Sequence, residues 1–215
     1  MSLVLEGVSL VRGGRLLFKE LSCTLAPGTL TLLQGKNGQG KTSLLEALMG
    51  LIPLKQGRVT WQGRALSPED FRAVIGEDGL KGSVDVKSHL HLWQSVYGAS
   101  SHGVNFLEET RALHDKPVAS LSAGQRQRLN LSRLFCGKHA PLWFLDEPLT
   151  HLDARTKALF LDACADHQAQ GGVVIMATHE TPSQIFEAPV ITLMPAQTLC
   201  PTTLRQELQD VALFA

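Results

Sequence analysis

The eight residues from Gly35 to Thr42 constrain the fold of this chain more than any other segment. They match the pattern Gly-x-x-x-x-Gly-Lys-Ser/Thr, whose glycines let the backbone curl so that successive N–H groups point at a phosphate. A short apolar strand, Leu30–Leu33, precedes the pattern, and an apolar helix, Thr42–Met49, follows it. A phosphate-binding loop requires this context, so the sequence predicts a nucleotide phosphate site at a strand-to-helix junction.

Each polar residue of this loop has a predicted role. The Lys41 ammonium places a point charge between the last two phosphates of a nucleotide, and the Thr42 hydroxyl is a ligand for Mg²⁺. The amino end of the helix adds its positive dipole end. The predicted nucleotide-binding residues are Gly35, Lys36, Asn37, Gly38, Gln39, Gly40, Lys41, Thr42 and Ser43.

Two acidic residues end a second apolar strand, Leu142–Leu145. Adjacent side chains of a strand point to opposite faces, so Asp146 and Glu147 can do different work. Asp146 is suited to the Mg²⁺ shell beside Thr42, and Glu147 is suited to polarising the water that attacks a γ-phosphate. We therefore predict that Glu147 is catalytic and that Asp146 is a metal ligand.

Three further features lie in a fixed order around this acidic strand. The pentapeptide Leu121-Ser122-Ala123-Gly124-Gln125 precedes it, and by itself it predicts only a helix start that Ser122 caps. Asp153 follows the acids closely, and His179 follows the next apolar strand, Val173–Ala177. Because these features occur together with a phosphate-binding loop, we interpret them as functional.

The remaining pattern predicts an α/β fold. Apolar strands that alternate with helices indicate a parallel sheet covered on both faces, and the β-rich N-terminus indicates an antiparallel piece beside it. Residues 66–135 are predicted to form a small helical insertion with a helix start at Ser67, and another short helix is predicted from Leu204. We expect one domain over residues 1–215.

Charge and hydropathy limit the partners. Lys plus Arg (20) equals Asp plus Glu (20), so the sequence predicts no nucleic-acid partner. The apolar start of the chain is too short for a signal peptide, and no stretch approaches the roughly 20 apolar residues of a membrane span. If the protein works at a membrane, another chain supplies the spans.

The order of these motifs resembles that of the ATP-binding-cassette (ABC) ATPases over nearly the whole chain. The resemblance is narrower to the ATP-binding subunit of the bacterial haem exporter of cytochrome c biogenesis. That subfamily shares the Ala123 variant of the pentapeptide, the stretch Asp146–Thr150, and the segments Ile75-Gly76 and Gly79–Lys81.

The resemblance implies a P-loop NTPase fold with an antiparallel β subdomain and a small helical subdomain. It implies that two copies pair head to tail with Mg-ATP between them, and that residues Leu121–Gln125 of one copy act in trans on the other. It also implies that His179 holds the γ-phosphate and that Asp153 belongs to the D-loop. The homodimer would drive integral membrane subunits from the cytoplasmic face of the bacterial inner membrane, as a peripheral protein.

Two positions depart from the family pattern. A Gln that contacts Mg²⁺ is usual before the pentapeptide, but none occurs between Gln62 and Gln94, where Glu77 and Asp78 are the nearest equivalents. The family often stacks adenine on an aromatic residue ahead of the phosphate-binding loop. Here the first nearby aromatic residue is Phe18, and the guanidinium of Arg12 or Arg15 is the alternative surface.

The alternatives are an ABC ATPase of a different importer or exporter, and a regulatory module that binds nucleotide as a clip with weak hydrolysis. Glu147 and His179 argue against the clip, whereas Glu77 and Asp78 keep it open. A chromosome-maintenance ATPase would carry long heptad repeats before the pentapeptide, and none is present. A kinase or GTPase with the same loop would not explain the pentapeptide.

Overall fold

The computed structural model describes residues 2–76, 79–98, 104–179, 188–194 and 197–199. The N-terminal strands form a three-stranded antiparallel sheet in the order β2–β1–β4, with bounds β1 Leu3–Arg12, β2 Arg15–Leu25 and β4 Gln56–Trp61. Gly13 and Gly14 join β1 to β2, and their φ angles of 58° and 75° are those that glycine adopts most easily in a tight hairpin. The predicted antiparallel piece is confirmed.

Six described strands form a second sheet in the order β5–β6–β7–β3–β8–β9. Their bounds are β3 Leu30–Gln34, β5 Phe71–Val74, β6 Leu142–Asp146, β7 Val173–Ala177, β8 Val190–Met194 and β9 Gln197–Leu199. All neighbouring pairs are parallel except β8 and β9. The carboxyl ends of β3, β6 and β7 therefore meet at one edge of the sheet, where ligands bind in open α/β sheets.

Five α-helices are described: α1 Lys41–Leu48, α2 Val86–Tyr97, α3 Val104–Arg111, α4 Ala123–Ser132 and α5 Ala154–Ala169. Short 3₁₀ turns at Val118–Ser120 and Arg133–Phe135 flank α4. Helix α1 confirms the helix predicted over Thr42–Met49. None of them combines the length and apolarity needed to cross a lipid bilayer.

Strand β6 contributes side chains to the hydrophobic cores on both faces of the parallel sheet. Leu142 and Phe144 pack in the core shared with α1 and the antiparallel sheet, whereas Trp143 and Leu145 pack in the core shared with α2 to α5. Side chains alternate along a strand, so an apolar run without polar interruptions supplies both cores at once. The predicted parallel sheet covered on both faces is confirmed.

The helix predicted to start at Ser67 is wrong. The Asp70 carboxylate accepts hydrogen bonds from the Ser67 amide at 2.7 Å and from the Ser67 hydroxyl at 3.0 Å, which closes a turn instead. The next four residues, Phe71–Val74, pair with β6. The helical part of residues 66–135 thus starts after β5, and the helix predicted from Leu204 lies outside the described residues.

The Asp70 turn gives a test of stability. Arg64 donates to both Asp70 oxygens, at 2.7 and 2.6 Å, and this contact lowers the pKa of Asp70 from 3.8 to about 2. Asp70→Asn removes the ionised carboxylate, so we expect it to lower the free energy of unfolding at pH 7. The expected loss is only about 1–2 kcal/mol, because Arg64 is half exposed and solvent screens the ion pair.

A lowered carboxyl pKa stabilises the fold only while the carboxyl is ionised, so this stability is present above pH 3.8 and is lost as pH falls toward 2. Urea unfolding of the wild type and the variant across this range measures the difference. If the difference in free energy of unfolding between wild type and variant stayed constant as the pH fell to about 2, the role given to Arg64 would be contradicted.

Candidate active site

The phosphate-binding loop, residues 35–42, connects β3 to α1. Gly35 has a φ of 152°, and a Cβ atom there would lie 2.9 Å from the carbonyl oxygen of Leu193, so the turn requires glycine. Lys41 is buried, and its ammonium donates a hydrogen bond to the Gly35 carbonyl at 2.8 Å. The lysine charge is thereby held over the loop.

Thr42 and Asp146 are brought together by the pairing of β3 and β6 through β7. The Thr42 hydroxyl donates to one Asp146 carboxylate oxygen at 2.5 Å, and both residues line the same cavity. Hydroxyl and carboxylate oxygens are the hard ligands that Mg²⁺ prefers, and Mg²⁺ takes few protein ligands because it retains waters and phosphate oxygens. These two residues therefore fit the metal that the sequence predicted.

Glu147 is held in an unusual backbone conformation at the end of β6. Its φ is 47°, and its amide donates to the carbonyl of Ala177, the last residue of β7, at 2.9 Å. Its carboxylate lies 3.1 Å from Nε2 of His179. Burial raises the pKa of Glu147, while His179 and Lys41 act in the opposite direction. A half-buried carboxyl of this kind can accept a proton beside a phosphate.

These residues surround one cavity of about 410 Å³. Its walls come from the phosphate-binding loop, the start of α1, the end of β6, the segment after β7 and the β1–β2 hairpin. The lining residues are Arg12, Leu17, Asn37, Gly38, Gly40, Lys41, Thr42, Ser43, Asp146, Glu147 and His179. Gly35, Lys36 and Gln39 belong to the loop but do not line the cavity. Glu77 and Asp78 lie outside the described residues.

The pentapeptide lies at the start of α4 and faces a different cavity. Ser122 caps the helix: its hydroxyl accepts from the Gln125 amide at 3.3 Å, and the Gln125 side chain accepts from the Ser122 amide at 3.1 Å. Ser122, Gly124, Gln125 and Asp153 line a cavity of about 300 Å³. In the described part of the chain, this cavity shares no lining residue with the first.

The remaining residues of the pentapeptide, and Asp153 after it, make contacts that stabilise the fold. A Cβ atom on Gly124 would lie 2.7 Å from the His151 carbonyl oxygen, so the turn before α5 approaches the pentapeptide closely. Leu121 packs against the core, and Ala123 begins α4. The Asp153 carboxylate accepts from the Thr156 amide at 2.7 Å and caps α5.

Sequence reasoning missed residues in both cavities, among them Leu17 and Arg128. Leu17 lines the first cavity because it packs over Gly40, where a Cβ atom would lie 3.1 Å from its side chain. Arg128 lines the second, where it donates to the Thr156 hydroxyl at 2.7 Å and pairs with Glu109 at 3.1 Å. Arg128 lies three residues after Gln125 on the same helix, and this spacing could have placed it on the same helix face as Gln125.

The fold and the cavity at the edge of its parallel sheet define a P-loop nucleotide hydrolase. The sequence model of the ABC transporter family matches residues 18–150. The chain belongs to this family, and it is an ATPase that binds ATP with a divalent metal ion.

Individual relatives agree with this assignment. The cytochrome c biogenesis ATP-binding export protein CcmA of Cereibacter sphaeroides is 37% identical over 197 residues, which cover 91% of this chain and 90% of that protein. The protein of the same name from Rhodobacter capsulatus is 38% identical, covering 90% of this chain and 87% of its own.

Among solved structures, an ATP-binding subunit of an ABC transporter superimposes with a TM-score of 0.80 at 20% identity, covering 97% of this chain and 94% of its own. A nucleotide-free ATP-binding cassette superimposes with a TM-score of 0.74 at 17% identity, covering 93% and 90%. These two likenesses concern the fold alone.

Proposed function

We propose that this chain is the ATP-hydrolysing subunit of a haem exporter that serves cytochrome c maturation. The observation that carries the proposal is the 37–38% identity to two proteins named for cytochrome c biogenesis export, over at least 87% of every chain involved. The cargo is recognised by another subunit, so the ATPase supplies the energy and not the selectivity. The site residues support the ATPase half of the proposal independently.

The predicted residue roles fit the geometry of the first cavity. Amides of the phosphate-binding loop and the Lys41 ammonium hold the β- and γ-phosphates. Mg²⁺ held by Thr42 and Asp146 supplies positive charge beside those phosphates. Glu147 takes a proton from the attacking water as the water oxygen bonds to the γ-phosphorus and the bond to the bridging oxygen breaks, releasing ADP. His179 orients the γ-phosphate and this water.

A homodimer with shared sites is supported by the separation of the two cavities. One cavity contains the phosphate-binding loop, and the other contains Ser122 and Gly124 at the amino end of α4. In a two-fold dimer, the cavity with the phosphate-binding loop of one copy would face the cavity with Ser122 and Gly124 of the partner copy. ATP would then be enclosed between the two copies. Ser122 and the Gly124 amide then contact the γ-phosphate of the partner's nucleotide.

An apolar pair on α2 supports contact with a membrane subunit. Leu92 and Val96 lie one helical turn apart and are 55% and 65% exposed, while Leu90 and Trp93 of the same helix are buried. Exposed apolar side chains in this arrangement fit an apolar partner element. We infer that the protein is peripheral, on the cytoplasmic face of the bacterial inner membrane, and docks there through its helical segment.

Deletion of this gene from its own host tests the proposal. We expect haem-stained c-type cytochromes to fall to background, because without ATP hydrolysis the exporter delivers no haem. The wild-type gene should restore them, and Lys41→Ala should not. Lys19→Ala, an exposed residue of β2 outside both cavities, is the matched control and should restore them fully. Normal c-type cytochromes in the deletion strain would contradict the haem-export assignment.

A further inference from the structure

Arg128 contacts residues of two other helices at the second cavity. It lies on α4, one turn after the start of that helix, and its Nη2 donates to the Thr156 hydroxyl of α5 at 2.7 Å. Its Nη1 lies 3.1 Å from the Glu109 carboxylate of α3. The same Nη2 lies 3.7 Å from the carboxylate of Asp153, the residue that caps α5. One side chain thus connects α4 to α3 and to the amino end of α5.

A guanidinium is suited to this position. It is planar and carries a fixed fork of donors, so it can bind a carboxylate and a hydroxyl in different directions at once. The side chains of Arg128 and Glu109 are only 17% and 21% exposed, so solvent screens their pairing less than it screens a surface ion pair. A lysine at residue 128 would keep the charge, but its single nitrogen on a flexible chain would fix the geometry less well.

The charges around Arg128 are compensated within the protein. Arg155 of α5 pairs with the other Glu109 oxygen at 2.9 Å, so two arginines accompany the carboxylates of Glu109 and Asp153. The pKa of Asp153 is lowered, chiefly by the hydrogen bond from the Thr156 amide and also by the two arginines. A phosphate that bound Arg128 would have to compete with these contacts, so the chemistry of Arg128 suits positioning better than ligand binding.

A second contact connects the same two helix starts. A Cβ atom on Gly124 would lie 2.7 Å from the His151 carbonyl oxygen, so the start of α4 contacts the backbone of the turn before α5. His151 has a φ of 65°, a conformation that a residue other than glycine keeps only where surrounding contacts hold it. This turn continues directly into Asp153. The backbone contact and the Arg128 side chain therefore act on the same short segment.

The residues of the second cavity at these two helix starts, Ser122, Gly124 and Asp153, are here called the trans face. We propose that Arg128 is a positioning residue that makes the trans face rigid by fixing the start of α5 against the start of α4. This inference rests on the proposed homodimer with shared sites, in which the trans face meets the nucleotide of the partner copy. Loss of Arg128 therefore impairs the partner's site and leaves the nucleotide site of its own chain intact.

Variants of the full chain test this proposal, with phosphate release as the measure of turnover. We expect Arg128→Met, which keeps an extended side chain without its donors, to lower turnover about tenfold because the trans face is misplaced. Mg-ADP binding, measured by calorimetry, should be unchanged, since the phosphate-binding loop lines the other cavity. Arg128→Lys should not restore turnover. Arg155→Ala is the matched control: this side chain of the same cluster is 82% exposed, and its loss should leave turnover at the parental value.

Mixtures of variants separate a role in trans from a general structural role. An equimolar mixture of Arg128→Met and Lys41→Ala should recover about a quarter of parental turnover, because half of the dimers are mixed and each has one intact site. That site combines the phosphate-binding loop of one chain with the trans face of the other. Arg128→Met mixed with Gly124→Asp should not recover, since both changes impair the same face. If Arg128 supported only its own chain's loop, the first mixture would stay at the average of its two components.

Thr156→Val tests the same contact without changing Arg128. It removes the hydroxyl acceptor with little change in side-chain volume, so we expect turnover to fall about threefold. Thr156→Ser keeps the hydroxyl and should restore turnover. If Arg128→Met does not fold, Thr156→Val mixed with Lys41→Ala provides the same test in trans.

Parental turnover in both Arg128→Met and Thr156→Val would overturn the proposal. So would a loss of Mg-ADP binding in a folded Arg128→Met, or a mixture with Lys41→Ala that does not exceed the average of its components. Lys41→Ala mixed with Gly124→Asp leaves Arg128 unchanged and reports on the shared site alone. If that mixture also failed to recover, the homodimer with shared sites would be wrong, which is a separate failure from that of Arg128.

Discussion

Replacing Glu147 by glutamine is expected to lower ATP turnover about a thousandfold while leaving Mg-ATP binding close to that of the parent. The amide has the same size as the carboxyl and can keep the 3.1 Å approach to His179, but it cannot accept a proton from the attacking water. The phosphate-binding loop, Lys41 and Thr42 are untouched by this substitution. The loss should therefore appear in the turnover number and not in the affinity.

Because ATP would close the homodimer and hydrolysis would open it, Glu147→Gln should also accumulate as a dimer when Mg-ATP is added. Light scattering during size-exclusion chromatography measures the dimer, and phosphate release measures turnover. Glu108→Gln, an exposed acid of α3 outside both cavities, is the matched control and should behave as the parent. Parental turnover in Glu147→Gln would show that another group acts as the base.

Two inactive variants are expected to regain activity when they are mixed. Lys41→Ala removes the charge over the phosphate-binding loop, and Gly124→Asp places a carboxylate at the helix start that would face the partner's γ-phosphate. Each variant alone spoils both sites of a two-fold dimer. A mixed dimer concentrates both changes in one site and leaves the other site intact, so an equimolar mixture should recover about a quarter of parental activity.

Phosphate release by the mixture, compared with each variant alone at the same total concentration, measures this recovery. The variants should be mixed before ATP is added, so that subunits exchange freely. A mixture that stays at the sum of its inactive components would mean that the pentapeptide does not complete the partner's site. Two samples serve as negative controls: Lys41→Ala alone, and Lys41→Ala mixed with the double variant Lys41→Ala/Gly124→Asp. Neither sample contains an intact site, because every phosphate-binding loop in it lacks the lysine.

Some elements were predictable because their causes are local. The glycines between β3 and α1 suit backbone angles that other residues rarely adopt, and Ser122 caps the helix that follows it. Strand β6 was predictable because its run of apolar residues is buried on both faces. In each case, the residues that determine the element lie within it or next to it.

Strand β5 could not be predicted in the same way. Its four residues, Phe71–Val74, include Arg72, and they follow a Ser-Pro-Glu-Asp stretch that suits a helix start equally well. The strand exists because β6, about seventy residues further on, offers a parallel edge for it. A short segment with mixed polarity takes the structure that its tertiary neighbour stabilises.

The sequence alone determined the phosphate-binding loop, the acidic end of β6 and the class of chemistry that they support, since those depend on residue type and on spacing within a few positions. Only the tertiary structure decided which distant side chains meet: Thr42 with Asp146, 104 residues away, and Arg12, not Arg15, with Ser43. The reason is physical: contacts between distant residues depend on how the strands are ordered in the sheet and on which face each side chain leaves, and both follow from packing of the whole chain.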